Sequence, residues 1–171
     1  MPFDARAIAN YFLDAAESAG VAVTPMKIQK LVYFAHGWHL AVRNGEPLIN
    51  EQVEAWMYGP VIPSLYRALR GYGDQPISRR ITALRQHTPT LSDNPDEEAF
   101  VRSLLARVWD IYSPFTAIQL SNMTHEPDTP WFKVFSQYTT NGGTLPKGTD
   151  IPHESIQEYF RSRLRPVAER A

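Results

Sequence analysis

Residues 24–42 read TPMKIQKLVYFAHGWHLAV, and this stretch predicts the central helix around which the fold is built. Thr24 is a favourable N-cap, and Pro25 suits the first helical position, where its missing N–H costs no hydrogen bond. We expect the helix to end at Asn44 or Gly45, since both tolerate the left-handed cap conformation. Apolar side chains recur at helical spacing over most of its circumference: Ile28, Leu31, Val32, Phe34, Ala35, Trp38, Ala41 and Val42. A helix with so wide an apolar surface is covered on several sides, so we expect it at the centre of the molecule.

Polar residues of the same stretch fall on two lines of the predicted helix. Gln29, Tyr33 and His36 share one line, and Lys27 and Lys30 share another at i, i+3 spacing. The two lysines stand near the start of the helix, on its polar side. They are candidates to receive an acidic partner, although a solvated basic edge explains the same pattern and, taken alone, explains it better.

The rest of the chain predicts a mainly α protein. Helical patterns occupy residues 3–19 and 152–167 and begin near residues 63, 95, 114 and 130. Short strand-like patterns occupy residues 47–50, 53–58 and 81–84, and Gly59-Pro60 halts the second of them. We therefore expect residues 1–171 to form a single, compact multi-helix domain around a central buried helix, with a small β-hairpin or extended insert at residues 47–57.

Length and composition support a real core and exclude several classes of protein. Of 171 residues, 43% are hydrophobic and 12% are aromatic, which suits an aromatic-rich core. The formal net charge is -1, so no overall field draws the chain to nucleic acid or to a membrane. The absence of cysteine excludes disulfides, cysteine-based zinc sites and a thiol nucleophile. Because no leader-like segment opens the chain and no apolar run reaches about 18 residues, we expect a cytoplasmic protein.

The histidines are candidates for chemistry, and none has a convincing motif. His36 and His39 have the i, i+3 spacing of a chelating pair, but the adjacent glutamate of an HExxH motif is missing. His39 lies on the apolar face, where a core histidine with one hydrogen-bonded nitrogen is the better interpretation. His125 follows a helix end, where it either caps terminal carbonyls or belongs to a site. We expect His153, in the first turn of the last helix, to be solvated.

Other chemical motifs are missing as well. The sequence has no GxSxG, GxxxxGK[ST] or GxGxxG motif, so we predict no catalytic residue, no metal and no cofactor. A small hydrolase or metal-dependent enzyme that uses His125 with His36 or His39 stays an alternative. Another is a DNA-binding regulator that uses the basic side of the last helix: Arg161, Arg163 and Arg165. Acidic residues balance the chain overall, and basic outer faces are common, so nucleic acid is a disfavoured partner.

The most unusual loop is residues 56–61, which read WMYGPV. Two aromatic residues and a methionine beside Gly-Pro suit either a plug in the core or an adaptable contact surface. We expect Trp56 to be buried in the core, whereas Tyr58 and Pro60 are better candidates for exposure.

Together these stretches resemble the Panacea antitoxin domain, also known as the GepA-like or SocA-like phage-associated domain. The resemblance spans nearly the whole chain, and Ile28 stands where the family pattern has leucine. In the central helix, the matching residues are Thr24, Pro25, Lys27, Gln29, Lys30, Leu31, Tyr33 and Phe34. Later matches are Glu54, Ala55, Trp56, Gly59, Pro60, Val61, Leu65, Tyr66, Leu120, Ser121, Thr124, His125 and Trp131.

This resemblance implies a bacterial or prophage antitoxin that binds and neutralises a partner toxin, which is usually encoded beside it. One relative is thought to act as an adaptor that delivers its toxin to a protease. Some members carry an extra DNA-binding module, for which this chain has no room. The family's toxins are diverse, so the resemblance does not identify the toxin.

We predict that the partner binds where the start of the central helix meets the loop at Tyr58. Lys27 and Lys30 would contribute charge, and Gly59-Pro60 would hold Tyr58 outward as a rigid aromatic anchor at little entropic cost. The alternative is that Gly59-Pro60 simply packs the loop under Trp56, with both lysines solvated or paired internally.

Overall fold

The computed structural model describes residues 1–164, which form seven α-helices and a small three-stranded sheet. The helices are α1 (Ala5–Ala19), α2 (Pro25–Val42), α3 (Pro63–Leu69), α4 (Pro95–Tyr112), α5 (Ala117–Thr124), α6 (Pro130–Thr139) and α7 (His153–Arg161). The strands are β1 (Val53–Trp56), β2 (Gly59–Val61) and β3 (Asp150–Ile151). The predicted mainly α class with a small hairpin is therefore confirmed. No helix within residues 1–164 is long and apolar enough to cross a bilayer.

Helix α2 is the buried centre of the molecule, as predicted. The Thr24 side chain accepts the Lys27 N–H at 3.4 Å, and Pro25 occupies the first turn. Asn44 and Gly45 both have positive φ and follow the end of the helix. Helices α1, α4, α5 and α7 all pack on α2. Their contacts leave Leu31, Val32 and Ala35 with no exposed surface.

Gly37 of α2 leaves room for an aromatic ring of α7, because it has no side chain. A Cβ built on Gly37 would lie 2.2 Å from Cε2 of Phe160. The Phe160 ring also packs edge-on against Trp38 and Tyr33, with centroid distances of 5.1 and 6.0 Å. One aromatic ring of α7 thus rests on bare backbone of α2.

The caps of α1 and α6 follow the sequence signals, whereas α5 begins at Ala117, later than the predicted start near residue 114. Asp4 caps α1, Thr129 caps α6, and Thr116 forms a capping box with Gln119 at the start of α5. In α4, the helical spacing of the apolar residues predicts Phe100 and Ile111 in the core, but these side chains are 39% and 48% exposed. The buried stripe of α4 is limited to Val101, Leu105 and Val108.

The sheet has the order β2-β1-β3, and both pairings are antiparallel. The hairpin joins β1 to β2 and lies at residues 53–61, later than the predicted insert at 47–57. Gly59-Pro60 was expected to halt the strand but lies inside β2. Proline is tolerated there because β2 is at the edge of the sheet and needs no outward N–H. Residues 47–50 contribute one isolated parallel bridge, between Ile49 and Phe3.

The predicted strand at residues 81–84 does not form. Ile81 donates its N–H to Oδ1 of Asn10 at 2.7 Å and accepts from Nδ2 of the same side chain at 2.9 Å. One amide therefore satisfies both backbone groups, and no neighbouring strand is needed. Helix α7 ends at Arg161, earlier than expected, and Arg165 lies outside the described residues.

His36 and His153 lie in the interface of α2 with α7, and the expectation that His153 is solvated is wrong. His36 was placed on a polar line of the helix but is fully buried, and its ring centroid is 4.9 Å from that of His153. His153 was expected to be solvated, yet it is only half-exposed and its Nε2 is buried. Burial, with smaller contributions from His153 and His39, lowers the pKa of His36 to about 3.

The pKa of His36 predicts an acid-sensitive fold. Below about pH 6.5 the unfolded chain binds a proton at His36 that the folded chain does not bind, so stability falls as the pH falls. Between pH 6.5 and 4.5 we expect a loss of about 2–3 kcal/mol from this residue. Urea unfolding at both pH values measures it. His36→Leu should remove that part of the loss, and the control His87→Gln, at an exposed histidine, should not. An equal loss in wild type and His36→Leu would contradict the assignment.

Candidate functional site

The hairpin tip, defined as Met57 and Tyr58, is an exposed apolar feature next to the residues that carry the family resemblance. These two residues form the turn between β1 and β2, and they are 63% and 73% exposed. Trp56, just before the tip, is half-buried and packs edge-on against Tyr66 of α3 at a centroid distance of 4.6 Å. The expectation that Trp56 is a core residue is therefore wrong, because one part of its ring stays at the surface.

Side chains of α2 hold the hairpin from one side. The Gln29 amide bonds both backbone groups of Ile62, donating to its carbonyl at 3.0 Å and accepting its N–H at 2.9 Å. At the next residue of α2, Nζ of Lys30 donates to the carbonyl of Pro60 at 3.1 Å. These bonds fix β2 and its exit directly onto the central helix.

Side chains of α5 and α6 hold the hairpin from the other side. Oγ of Ser121 donates to the carbonyl of Tyr58 at 3.1 Å, and Nε1 of Trp131 donates to the carbonyl of Trp56 at 2.6 Å. Nδ1 of His125 donates to the carbonyl of Ser121 at 2.6 Å, which leaves Nε2 at 3.4 Å from the carbonyl of Met57. The His125 ring also packs on that of Trp131, at a centroid distance of 4.1 Å.

The hairpin approaches these helices so closely that residue 59 has no room for a side chain. A Cβ on Gly59 would lie 2.8 Å from Oγ1 of Thr124 and 3.2 Å from Nζ of Lys30, and its φ is +113°. Four carbonyls of residues 56–62 accept side-chain donors from other elements, and this rigid backbone carries two exposed side chains. Such an arrangement can present Met57 and Tyr58 to a partner with little loss of conformational freedom.

Lys27 and Lys30 do not lie on a polar edge, so that premise of the sequence analysis is wrong. Their exposed fractions are 8% and 2%, and Gly59 and Pro60 are buried as well. Lys30 is covered by the hairpin, and burial lowers its pKa to about 8. Nζ of Lys27 donates to the carbonyl of Ser113 at 2.7 Å, at the negative end of the α4 dipole. Of the predicted contact residues, Tyr58 is the one at the surface.

The remaining motif residues support the tip or the core. Val61 and Trp131 are buried behind the hairpin, and Thr24 and Pro25 start α2 beside it. Tyr33 lies apart from this cluster, against Phe160, where burial raises its pKa. The structure thus brings most of the motif together around one hairpin.

An apolar groove of about 470 Å³ lies beside the tip, between the hairpin, the start of α2 and α3. We call it the hairpin groove; its apolar walls include Met26, Trp56, Tyr58, Val61, Tyr66 and Leu69. The apolar residues Leu65, Tyr66 and Leu69 together predict an inward Tyr66, but this side chain is 44% exposed. The missed signal is its spacing: Leu65 and Leu69 are four residues apart and share the buried side of α3, and Tyr66 is one position off that line.

The residues that the sequence offered for metal binding or DNA binding make contacts within the fold. His39 is buried with Nδ1 2.8 Å from the carbonyl of Glu46, as expected of a core histidine. Among residues 1–164, no three His, Asp or Glu side chains are grouped so that they could hold a metal ion. Arg161 donates to Oδ1 of Asn44 at 2.7 Å, and the Arg163 guanidinium lies 3.6 Å from the centroid of Tyr159.

Comparison with known proteins points to one family. The family model described as "Antitoxin SocA-like, Panacea domain" matches residues 28–132, a range that includes the hairpin and the side chains that hold it. The chain is 33% identical to antitoxin SocA of Caulobacter vibrioides (strain NA1000 / CB15N) over 161 residues, which are 92% of this chain and 82% of that protein. No solved structure matches the chain.

Proposed function

Because the chain belongs to the SocA-like Panacea domain family of antitoxins, we propose that it neutralises a cognate protein toxin by binding it directly. The proposal places this activity in the cytoplasm and gives the protein no catalytic step, metal or cofactor. The toxin is expected to be encoded by a neighbouring gene, as the family resemblance implies.

The observation that carries the proposal is the hairpin tip. Tyrosine is a frequent interface hot spot, and methionine adapts to the shape of a partner. Met57 and Tyr58 leave most of their surface in water, yet the backbone beneath them is bonded by α2, α5 and α6. Because the tip is already ordered, binding loses less conformational entropy than it would with a loose loop.

The other residues predicted to bind the partner take a supporting part in this proposal. Lys30, Gly59 and Pro60 lie behind the tip and set its position, and Lys27 ties the start of α2 to the end of α4. The toxin contacts Tyr58 and Met57, while these four residues hold the surface that it meets.

Co-expression tests the proposal. The product of the neighbouring gene should arrest growth, this protein should relieve the arrest, and the two should co-elute after purification. Direct neutralisation leaves the amount of toxin unchanged, whereas delivery to a protease would lower it. Failure of both relief and co-elution would overturn the proposal.

Tyr58→Ala should separate binding from folding. Loss of a hot-spot tyrosine costs about 2 kcal/mol or more, which is roughly 30-fold in affinity for the toxin. The Tm should not change, because the side chain is mostly in water. Tyr138→Ala is the matched control, since Tyr138 is 41% exposed on α6 and should keep wild-type affinity. Titration calorimetry with purified toxin measures both variants. Equal affinity of Tyr58→Ala and wild type would remove Tyr58 from the contact surface.

A further inference from the structure

The hairpin groove combines apolar walls with an unbalanced positive charge. Its lining includes two basic residues, Lys30 and Arg70, and no acidic residue in the described part of the chain. The nearby Glu54 does not line the groove, and its carboxylate accepts the indole N–H of Trp56 at 3.1 Å.

Neither basic residue is paired with a carboxylate in the part of the chain that the structure describes. Within residues 1–164, no carboxylate lies within 4.0 Å of Nζ of Lys30 or of the Arg70 guanidinium. Lys30 is 2% exposed and donates to a single carbonyl, although an ammonium group has three N–H donors. Arg70 is exposed at the end of α3. A buried cation without a counter-ion is unfavourable, so an incoming carboxylate would gain from both groups.

The walls of the groove suit a bulky apolar side chain. Trp56 and Tyr66 contribute two aromatic rings to the lining. Met26 and Met57 also line the groove, with 38% and 63% of their surface exposed. Aromatic faces and thioethers together favour a ring, and methionine adjusts to its outline.

We propose that the hairpin groove binds a segment of the toxin that carries an aromatic side chain next to a carboxylate. The ring packs on Trp56 and Tyr66, and the carboxylate pairs with Arg70 above the buried Lys30. This inference rests on the proposed function and adds the chemistry that the antitoxin recognises.

Methionine methyl groups test the chemistry of the groove without the toxin. The protein has four methionines; Met26 and Met57 line the groove, and Met1 and Met123 do not. In NMR titrations with isotope-labelled methyl groups, phenylbutyrate should shift Met26 and Met57 alone. Its neutral amide should bind about five-fold more weakly, the size expected for one exposed charge pair. Arg70→Gln should reduce this difference, because only the buried Lys30 then attracts the carboxylate. Equal binding of acid and amide, or shifts at all four methyl groups, would overturn the inference.

A charge-reversal pair tests the same chemistry with the toxin. Arg70→Glu should weaken toxin binding about ten-fold, since it removes one pair and adds a repulsion, and its Tm should not change. Arg67→Glu is the matched control, because Arg67 is also exposed on α3 but does not line the groove. If both variants bind the toxin equally, the inference fails while the antitoxin function stands. If wild type does not bind the toxin, the proposed function fails, and the methyl titration still decides the chemistry of the groove.

Discussion

Phe160→Ala is expected to lower the free energy of unfolding by about 3–5 kcal/mol, the largest change that we predict for an apolar residue. The ring is 1% exposed and packs on Trp38, Tyr33 and the bare backbone of Gly37. Helix backbone cannot move inward to fill the space, so the cavity that alanine leaves keeps most of its volume. Equilibrium urea unfolding measures the loss. Leu164→Ala, at a partly exposed position just after α7, should cost far less.

Gly37→Ala tests the same contact from the other helix. Its methyl group would stand 2.2 Å from Cε2 of Phe160, so we expect a loss of about 1–3 kcal/mol despite the better helix propensity of alanine. In a Phe160→Leu background this loss should shrink, because the smaller side chain makes room. A double-mutant cycle measures the coupling between the two positions. An unchanged cost of Gly37→Ala in that background would argue against the contact.

Lys30→Glu is expected to cost about 3–5 kcal/mol, because it replaces a hydrogen-bonded buried amine with an unpaired buried carboxylate. The new charge would face the carbonyl of Pro60, which repels it. Lys30→Met is the matched variant: it keeps the length of the side chain, has no charge to bury and loses only one hydrogen bond. We expect Lys30→Met to cost about 1 kcal/mol. Similar losses for both variants would contradict the burial of the amine. Because Lys30→Glu disturbs folding, it cannot report on toxin affinity by itself.

The stability of the wild-type protein should also rise with pH through the lowered pKa of Lys30. Above about pH 8 the folded chain releases the Lys30 proton, while the unfolded chain keeps it to about pH 10. The unfolded state then binds more protons, so stability increases, by about 1.5 kcal/mol between pH 8 and 9.5. Unfolding across this range measures the increase, and Lys30→Met should abolish it.

The features that the sequence predicted well are those that depend on neighbours in the chain. Thr24-Pro25 caps α2 wherever the helix lies in the fold, and the wide apolar surface of α2 requires burial from any direction. Whether a lysine is solvated or covered by a hairpin does not depend on its neighbours in the chain. The Lys27–Lys30 spacing is the same in both cases, and the covering residues lie about thirty and eighty-six positions away along the chain.

Long-range partners also explain the other errors. Ile81 has a strand-like sequence, but Asn10, 71 residues away, satisfies its backbone. Strand β3 has two residues, too few for a periodic pattern, and it exists because β1 pairs with it. The half-buried state of Trp56 depends on Tyr66 of α3, which packs against its ring and which no pattern local to Trp56 contains.

The bonds that hold the hairpin have one more consequence, for partner choice. The acceptors at residues 56–62 are main-chain carbonyls, which every amino acid possesses. The hydrogen bonds that hold the hairpin therefore do not depend on the identity of residues 57 and 58. Substitutions at these two positions change the side chains that the tip exposes without breaking the hydrogen bonds to its backbone. The residues at positions 57 and 58 can therefore change, and with them the partner that the tip recognises, while the fold keeps its stability.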